Sequence, residues 1–199
     1  MSSDAEARLA GDSFDGETFE KLDLNGANLS RKELVQCTFK GCKMQDVVWL
    51  STRFEDCVFE QCDLSNFLPK GTVLNGVKFE GCKLVGAIWT EVSDGPAVSF
   101  ADCNMRYQSF VRMSIQATAF VRCAITESTF SEVNLSRSKL ASCDLDKTQF
   151  DRCELLKTDF ATSTGVYFDP ARNRAKGAKI STQTAALIAT ALGMIVTPD

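Results

Sequence analysis

From Phe100 to Phe160 every fifth residue is large and apolar: Phe100, Met105, Phe110, Ile115, Phe120, Ile125, Phe130, Leu135, Leu140, Leu145, Phe150, Leu155 and Phe160. Five is neither the alternation of a strand nor the 3.6-residue turn of a helix. The same beat runs earlier through Leu9, Phe14, Phe19, Leu24, Leu29, Leu34, Phe39, Met44, Trp49, Phe54, Phe59 and Leu64. It misses at Pro69 and resumes at Leu74, Phe79, Leu84 and Trp89. The step from Trp89 to Phe100 is eleven, so one residue is inserted there. Twelve of the fourteen Phe and both Trp fall on this lattice, so the period identifies a repeat architecture.

A second lattice lies two residues before the first and is occupied by small side chains, including all nine cysteines: Cys37, Cys42, Cys57, Cys62, Cys82, Cys103, Cys123, Cys143 and Cys153. Residues two apart on an extended chain point to one face. Each five-residue unit therefore sends one large and one small side chain inward and shows three polar positions outward. Aromatics and cysteines also recur at twenty, as in Phe39, Phe59, Phe79 and Cys42, Cys62, Cys82, with Phe100 and Phe120 carrying on after the insertion. Four units per coil give a four-sided solenoid whose core is built layer by layer.

Units such as Ala27-Asn28-Leu29, Cys62-Asp63-Leu64 and Cys143-Asp144-Leu145 resemble those of the pentapeptide-repeat proteins. The resemblance covers roughly residues 7 to 168 and implies an all-β solenoid, a right-handed quadrilateral β-helix. It places a β-helix over 1–168, with interruptions at 65–73 and 90–99, and a C-terminal helix and tail over 169–199.

The chain has no histidine, which removes Ser-His-Asp and Cys-His schemes. No catalytic residue and no cofactor is expected. Stacked cysteines have parallel Cβ vectors about 4.8 Å apart, wider than a disulfide accepts, so they read as free buried thiols. With no CxxC pair, no metal site is expected. Gly71 and Gly76 have the glycine spacing of a phosphate loop, but Val77 stands where that motif needs lysine, so the stretch reads as wall. No signal or spanning stretch is present, and a cytoplasmic location with no membrane association is expected.

Residues 1–30 carry seven acids and two bases, and the first few residues are expected to fray. The body, 31–164, is close to neutral. In the first interruption Phe67 occupies a slot meant for a small residue and Leu68 lies off both lattices, so with Lys70 they are candidate partner contacts. Glu91, Asp94, Gly95 and Pro96 are the candidates in the second, where Asp94-Gly95-Pro96 is a turn signal. Arg172, Arg174, Lys176 and Lys179 form a small basic collar that reads as a solvated segment, and no direct nucleic-acid contact is expected.

Ser181 or Thr182 can cap a helix over 184–192, Gly193 ends it, and Met194-Ile195-Val196 reads as a short apolar strand. The helix either caps the open end of the solenoid or pairs with a second copy. The candidate dimer residues are Leu187, Ile188, Ala191, Leu192, Met194, Ile195 and Val196. This tail is similar to the closing segment of the Qnr-type topoisomerase-protection proteins, and Trp89 through Phe100-Ala101-Asp102-Cys103 is similar to the albicidin-resistance branch. The resemblance implies a homodimer that binds a type II DNA topoisomerase, gyrase or topoisomerase IV, and protects it from poisons, with a rod likened to duplex DNA. About eight coils at ~4.8 Å give a rod of about 40 Å. A net charge of −4 falls far below the phosphate density of DNA, so loop contacts carry more of the expectation than mimicry. A structural or adaptor solenoid with another protein partner is the alternative.

Overall fold

The computed structural model describes residues 8–93 and 95–197. Each five-residue unit is one side of a coil, and four sides return the chain to its starting face one layer on. Pairing is parallel throughout, with Phe19 beside Phe39, Phe39 beside Phe59 and Phe59 beside Phe79. Face one begins with the strands Ser13–Asp15, Glu33–Val35, Arg53–Glu55 and Val73–Asn75, and continues as single bridges from Ser114 through Asn134 and Glu154 to Arg174. Face two is a seven-stranded sheet from Thr18–Glu20 to Lys139–Ala141. Face three is a column of bridges from Asp23 to Thr164. Face four starts as bridges at Asn28, Val48 and Leu68 and becomes a sheet from Ile88–Trp89 to Gln149–Asp151.

Apart from half-buried Phe14, the large residues of the five-beat are buried. Phenylalanines of successive coils on face two stack with ring centroids 4.8 to 5.2 Å apart from Phe19 to Phe120. The small inward residues do more than fill space. The Cys42 thiol donates to the Phe19 carbonyl at 3.2 Å, Cys62 to Phe39 at 3.4 Å and Cys82 to Phe59 at 3.2 Å. Thr52 and Ser138 donate in the same way, each at 2.8 Å to a carbonyl twenty-three residues back. A thiol or hydroxyl at this position has its polar hydrogen satisfied inside the wall, so its burial leaves no orphan donor.

The corners demand a special backbone. From Phe14 to Trp89 and from Phe100 to Leu155 the residue two past each large inward one has positive φ, as at Lys21 (53°), Gly41 (59°), Gly76 (68°), Arg112 (50°) and Lys157 (56°). The left-handed region costs an L-residue with a side chain about 1–2 kcal/mol. The five-residue spacing of Gly71 and Gly76 is thus the corner lattice, consistent with wall.

The expected interruption at 65–73 does not exist. Leu68 bridges Val48, the N–H of Ser51 meets the Lys70 carbonyl at 3.0 Å, and Val73 pairs with Arg53 in register. Pro69 is buried and contributes no N–H to the ladder, yet the coil closes through Gly71 N–H to Glu91 O at 2.7 Å. At the second site the pairing offset changes from twenty to twenty-one, so that Phe79 meets Phe100 and Lys83 meets Asn104. The extra residue is taken up between Ser93, whose N–H bonds the Thr72 carbonyl, and Ala97, whose N–H bonds that of Leu74.

The solenoid also runs past the expected boundary at 168. Arg174 bridges Glu154, Lys179 bridges Asp159, and buried Asn173 donates to the Phe150 carbonyl at 3.0 Å. Helix α1, Thr182–Ala191, follows, with Ser181 as its cap accepting from the Thr184 N–H at 3.1 Å. Thr184 is buried and Ile188 packs on the core, so one side of α1 covers the last coil. The segment 194–197 forms no strand, and the Met194 N–H instead bonds back to the Ala189 carbonyl of α1 at 3.0 Å.

Candidate interaction surfaces

All nine cysteines are free and buried. Burial pushes the Cys57 thiol up to about 11. Cys62 is pushed up to about 12, first by the neighbouring Cys42 thiol, whereas Cys42 is lowered to about 7 by the Cys62 thiol beside it. Among the described residues no group of three or more His, Cys, Asp or Glu is placed to hold a metal ion. No described helix is long and apolar enough to cross a membrane. What remains for recognition is the outer surface.

The structure brings part of the expected partner-contact set together. Leu68 is 40% exposed on face four, and at the adjoining edge Lys70 Nζ lies 3.0 Å from Glu91 Oε2. Gly95 is exposed on the inserted coil. Two members are corrected. Phe67 is buried, 1% exposed, with its ring 4.9 Å from that of Trp49 and 5.1 Å from that of Trp89. The aromatic that displaced a small residue was absorbed by the core. Pro96 also turns inward and is buried, since the turn that takes up the extra residue points it at the core. Asp94 lies outside the described residues.

An apolar strip on face four extends beyond Leu68, the one member that the sequence had singled out. Val48, Leu68 and Ile88 are the outward residues of three successive coils, with Leu50 beside them, and Ile88 is 49% exposed. The signal was there to find: Val48, Leu50 and Ile88 are apolar at outward positions of the five-beat.

At the C-terminal end the expected dimer residues divide. Ile188 belongs to the cap, packed against the core. Leu187, Leu192, Met194 and Val196 are about half exposed, Ala191 is exposed and Ile195 is 92% exposed. The helix therefore caps the last coil with one side and presents apolar residues to solvent with the other.

A family profile described as "Pentapeptide repeat region" matches residues 13–89, and one described as "Pentapeptide repeats (8 copies)" matches residues 120–163. The chain belongs to the pentapeptide-repeat family. The stretch that neither match covers, 90–119, contains the inserted residue. Among solved structures, full-length QnrB1, a plasmid-mediated fluoroquinolone resistance protein, is similar with a TM-score of 0.57 and 20% identity, over 92% of this chain and 90% of that one. A trypsin-treated QnrB1 variant gives 0.51 and 22% over 93% and 90%. HetL, a pentapeptide-repeat protein involved in heterocyst differentiation regulation from the cyanobacterium Nostoc sp. strain PCC 7120, gives 0.50 and 13% over 89% and 90%. A comparison with curated protein sequences finds no match. Pentapeptide-repeat solenoids of this shape thus serve more than one role, and the surface of this one must distinguish among them.

Proposed function

We propose that this pentapeptide-repeat protein is a cytoplasmic, non-enzymatic homodimer that binds a type II DNA topoisomerase and protects it from poisons of the quinolone or albicidin kind. The observation that carries this reading is the apolar outer side of the C-terminal cap, Leu187, Leu192 and Met194 to Val196, on a solenoid that aligns with full-length QnrB1 over nearly its whole length. Exposed apolar residues concentrated at one end suit end-to-end pairing, which would double the rod. Contact with the enzyme then falls to the edge formed by Leu68, Lys70, Glu91 and Gly95.

The test is supercoiling by purified gyrase and decatenation by topoisomerase IV, each with a poison present, as the protein is titrated in. Rescue at low protein concentration supports the reading; no effect on either enzyme overturns it. Ile195→Asp in the same assays separates the dimer from the contact edge, because it should split the dimer in light scattering without unfolding the solenoid.

One observation favours a second reading, an adaptor solenoid with a different protein partner. The 65–73 stretch is plain wall, so among the described residues the coil register departs from twenty at the second site alone. In that case the apolar strip Leu50, Leu68 and Ile88 would be the contact, and substitutions there would leave topoisomerase assays unchanged.

A further inference from the structure

Face one changes sign along the rod. In its first three coils Asp12, Asp15, Glu33, Glu55 and Asp56 outnumber Arg31, Lys32 and Arg53. In its last four coils the balance reverses. The near corner carries, coil by coil, Arg112, Glu132, Arg152 and Arg172. The middle column carries Ser114, Asn134, Glu154 and Arg174, paired as successive bridges. Beyond it stand Arg137, Lys157 and Lys176. The sequence shows only the last of these coils as a basic run; the others lie twenty residues apart, and only the fold gathers them.

Both carboxylates on this half-face are already engaged. Glu132 lies 3.1 Å from Arg152 and 3.6 Å from Arg112, and Glu154 lies 2.6 Å from Arg174. At the border, Asp151 of face four lies 2.5 Å from Arg172. Arg137, Lys157 and Lys176 make no ion pair among the described residues, and all three are exposed. The half-face thus carries net positive charge on a chain whose net charge is −4.

We propose that the C-terminal half of face one binds the phosphate backbone of duplex nucleic acid. Three features select that occupant over an acidic protein. The cations are mostly arginine, whose planar fork matches phosphate. The outward residues between them are Ser114, Gln116, Asn134 and the buried Ser136, and the large apolar groups are half-buried Met113 and Leu156 at opposite edges, so the face lacks the apolar centre of a protein–protein interface. It also has no aromatic on which an unpaired base could stack, which points to duplex rather than single strand. From Arg112 to Arg172 is three coil steps, about 14 Å, the reach of about four phosphates along one strand. The expectation of no nucleic-acid contact, drawn from the collar alone, is revised accordingly. This inference does not rest on the topoisomerase reading, and its test uses the protein without any partner enzyme.

The experiment is fluorescence anisotropy of a labelled duplex of about two helical turns, titrated with the full chain at about 50 mM and then about 200 mM salt. Binding should be independent of sequence and weaken by about a hundredfold across that range for four phosphate contacts. Arg137→Glu, Lys157→Glu and Lys176→Glu together should reduce affinity roughly tenfold or more and lower the salt slope by about 3. Lys43→Glu, Lys78→Glu and Lys147→Glu change net charge equally on other faces and should have a much smaller effect, with circular dichroism confirming that both triples fold. Absence of binding at the lower salt overturns the proposal, as does equal loss in both triples, which would make net charge the whole effect. Binding to poly-glutamate but not to duplex also overturns it and assigns the face to an acidic protein.

Discussion

Residues 13–89 and 98–160 wind coils of one size around one continuous core, but their outer surfaces differ. Up to Glu80 strands occupy faces one and two; from Ile88 onward they occupy faces two and four. The corners differ too. Gly16, Gly26, Gly41, Gly71, Gly76, Gly81 and Gly86 turn corners in the first half, whereas from Asp102 to Lys157 every positive-φ corner carries a side chain. A glycine corner is free of strain but displays nothing. A corner with a side chain costs about 1–2 kcal/mol and gains an outward group at the rod's most exposed edge. The second half uses those groups: Asp102 receives Arg122 through two contacts of 2.7 Å, and Arg112, Glu132 and Arg152 form a ladder. Charged corner side chains are therefore denser in the second half than in the first.

The largest expected effect is one that the two halves should share. Phe39→Ala and Phe120→Ala each remove a ring from the same face-two column, and each should cost about 3–5 kcal/mol in denaturant unfolding. A loss below about 1 kcal/mol at either position is incompatible with a buried aromatic column. A large difference between them would mean that the halves have separate cores.

The corners should respond with opposite signs. Gly76 and Ala117 sit on the edge between faces one and two, with φ of 68° and 55°. A Cβ at Gly76 would lie 2.1 Å from Asp56 Oδ1, so Gly76→Ala should destabilise by about 1–3 kcal/mol even after the carboxylate swings aside. Ala117→Gly should relieve strain and stabilise by up to about 1 kcal/mol. Thermal melts of the two variants check this directly; equal signs would remove corner strain as the distinction between the halves.

How much of this was legible beforehand follows from what each feature depends on. The coil, the buried phenylalanines and the free cysteines follow from a strict spacing, because a five-residue beat leaves few ways to bury two residues in every unit. Phe67 and Pro96 were misplaced because a break in the beat looked like a loop, whereas the wall accommodated an aromatic against Trp49 and Trp89. The basic half-face was illegible in one dimension: Arg112, Arg152 and Arg172 become neighbours only through coil stacking. The strand at 194–196 was read from composition, but a strand requires a partner edge, and no described residue pairs with this segment.

The thiols add a pH dependence. Cys57 and Cys62 have folded values of about 11 and about 12 against an ordinary 9.0. The folded state therefore holds their protons more tightly than the unfolded one. Their contribution is complete below pH 9 and is lost progressively as pH rises toward 12. Cys42, lowered to about 7, works in the opposite sense: its contribution grows between pH 7 and 9 and is constant above that. Denaturant melts from pH 7 to 10.5 should show falling stability above pH 9, and Cys57→Ser should flatten that fall. Because Cys103 and Cys123 in the second half are also pushed up to about 12, the alkaline loss should weaken both halves together, which hydrogen exchange at high pH reads.

The smallest effect concerns the edge assigned to partner contact. Lys70 and Glu91 are 3.0 Å apart, but their side chains are 52% and 61% exposed, so screening leaves the pair worth less than about 1 kcal/mol. A double-mutant cycle with Lys70→Ala and Glu91→Ala should give a coupling energy in that range and an unchanged Tm within a few degrees. The value of the pair lies in what it leaves intact. Since the backbone bond from Gly71 to Glu91 closes the coil without either side chain, the double variant keeps its fold and loses only its display. A protection assay on that variant therefore tests the edge alone. Loss of rescue with unchanged stability places the contact in the first half, and the half-face of arginines then acts on a different ligand. Retained rescue moves the contact to the strained corners of the second half, where Arg122→Ala would be the next substitution to measure.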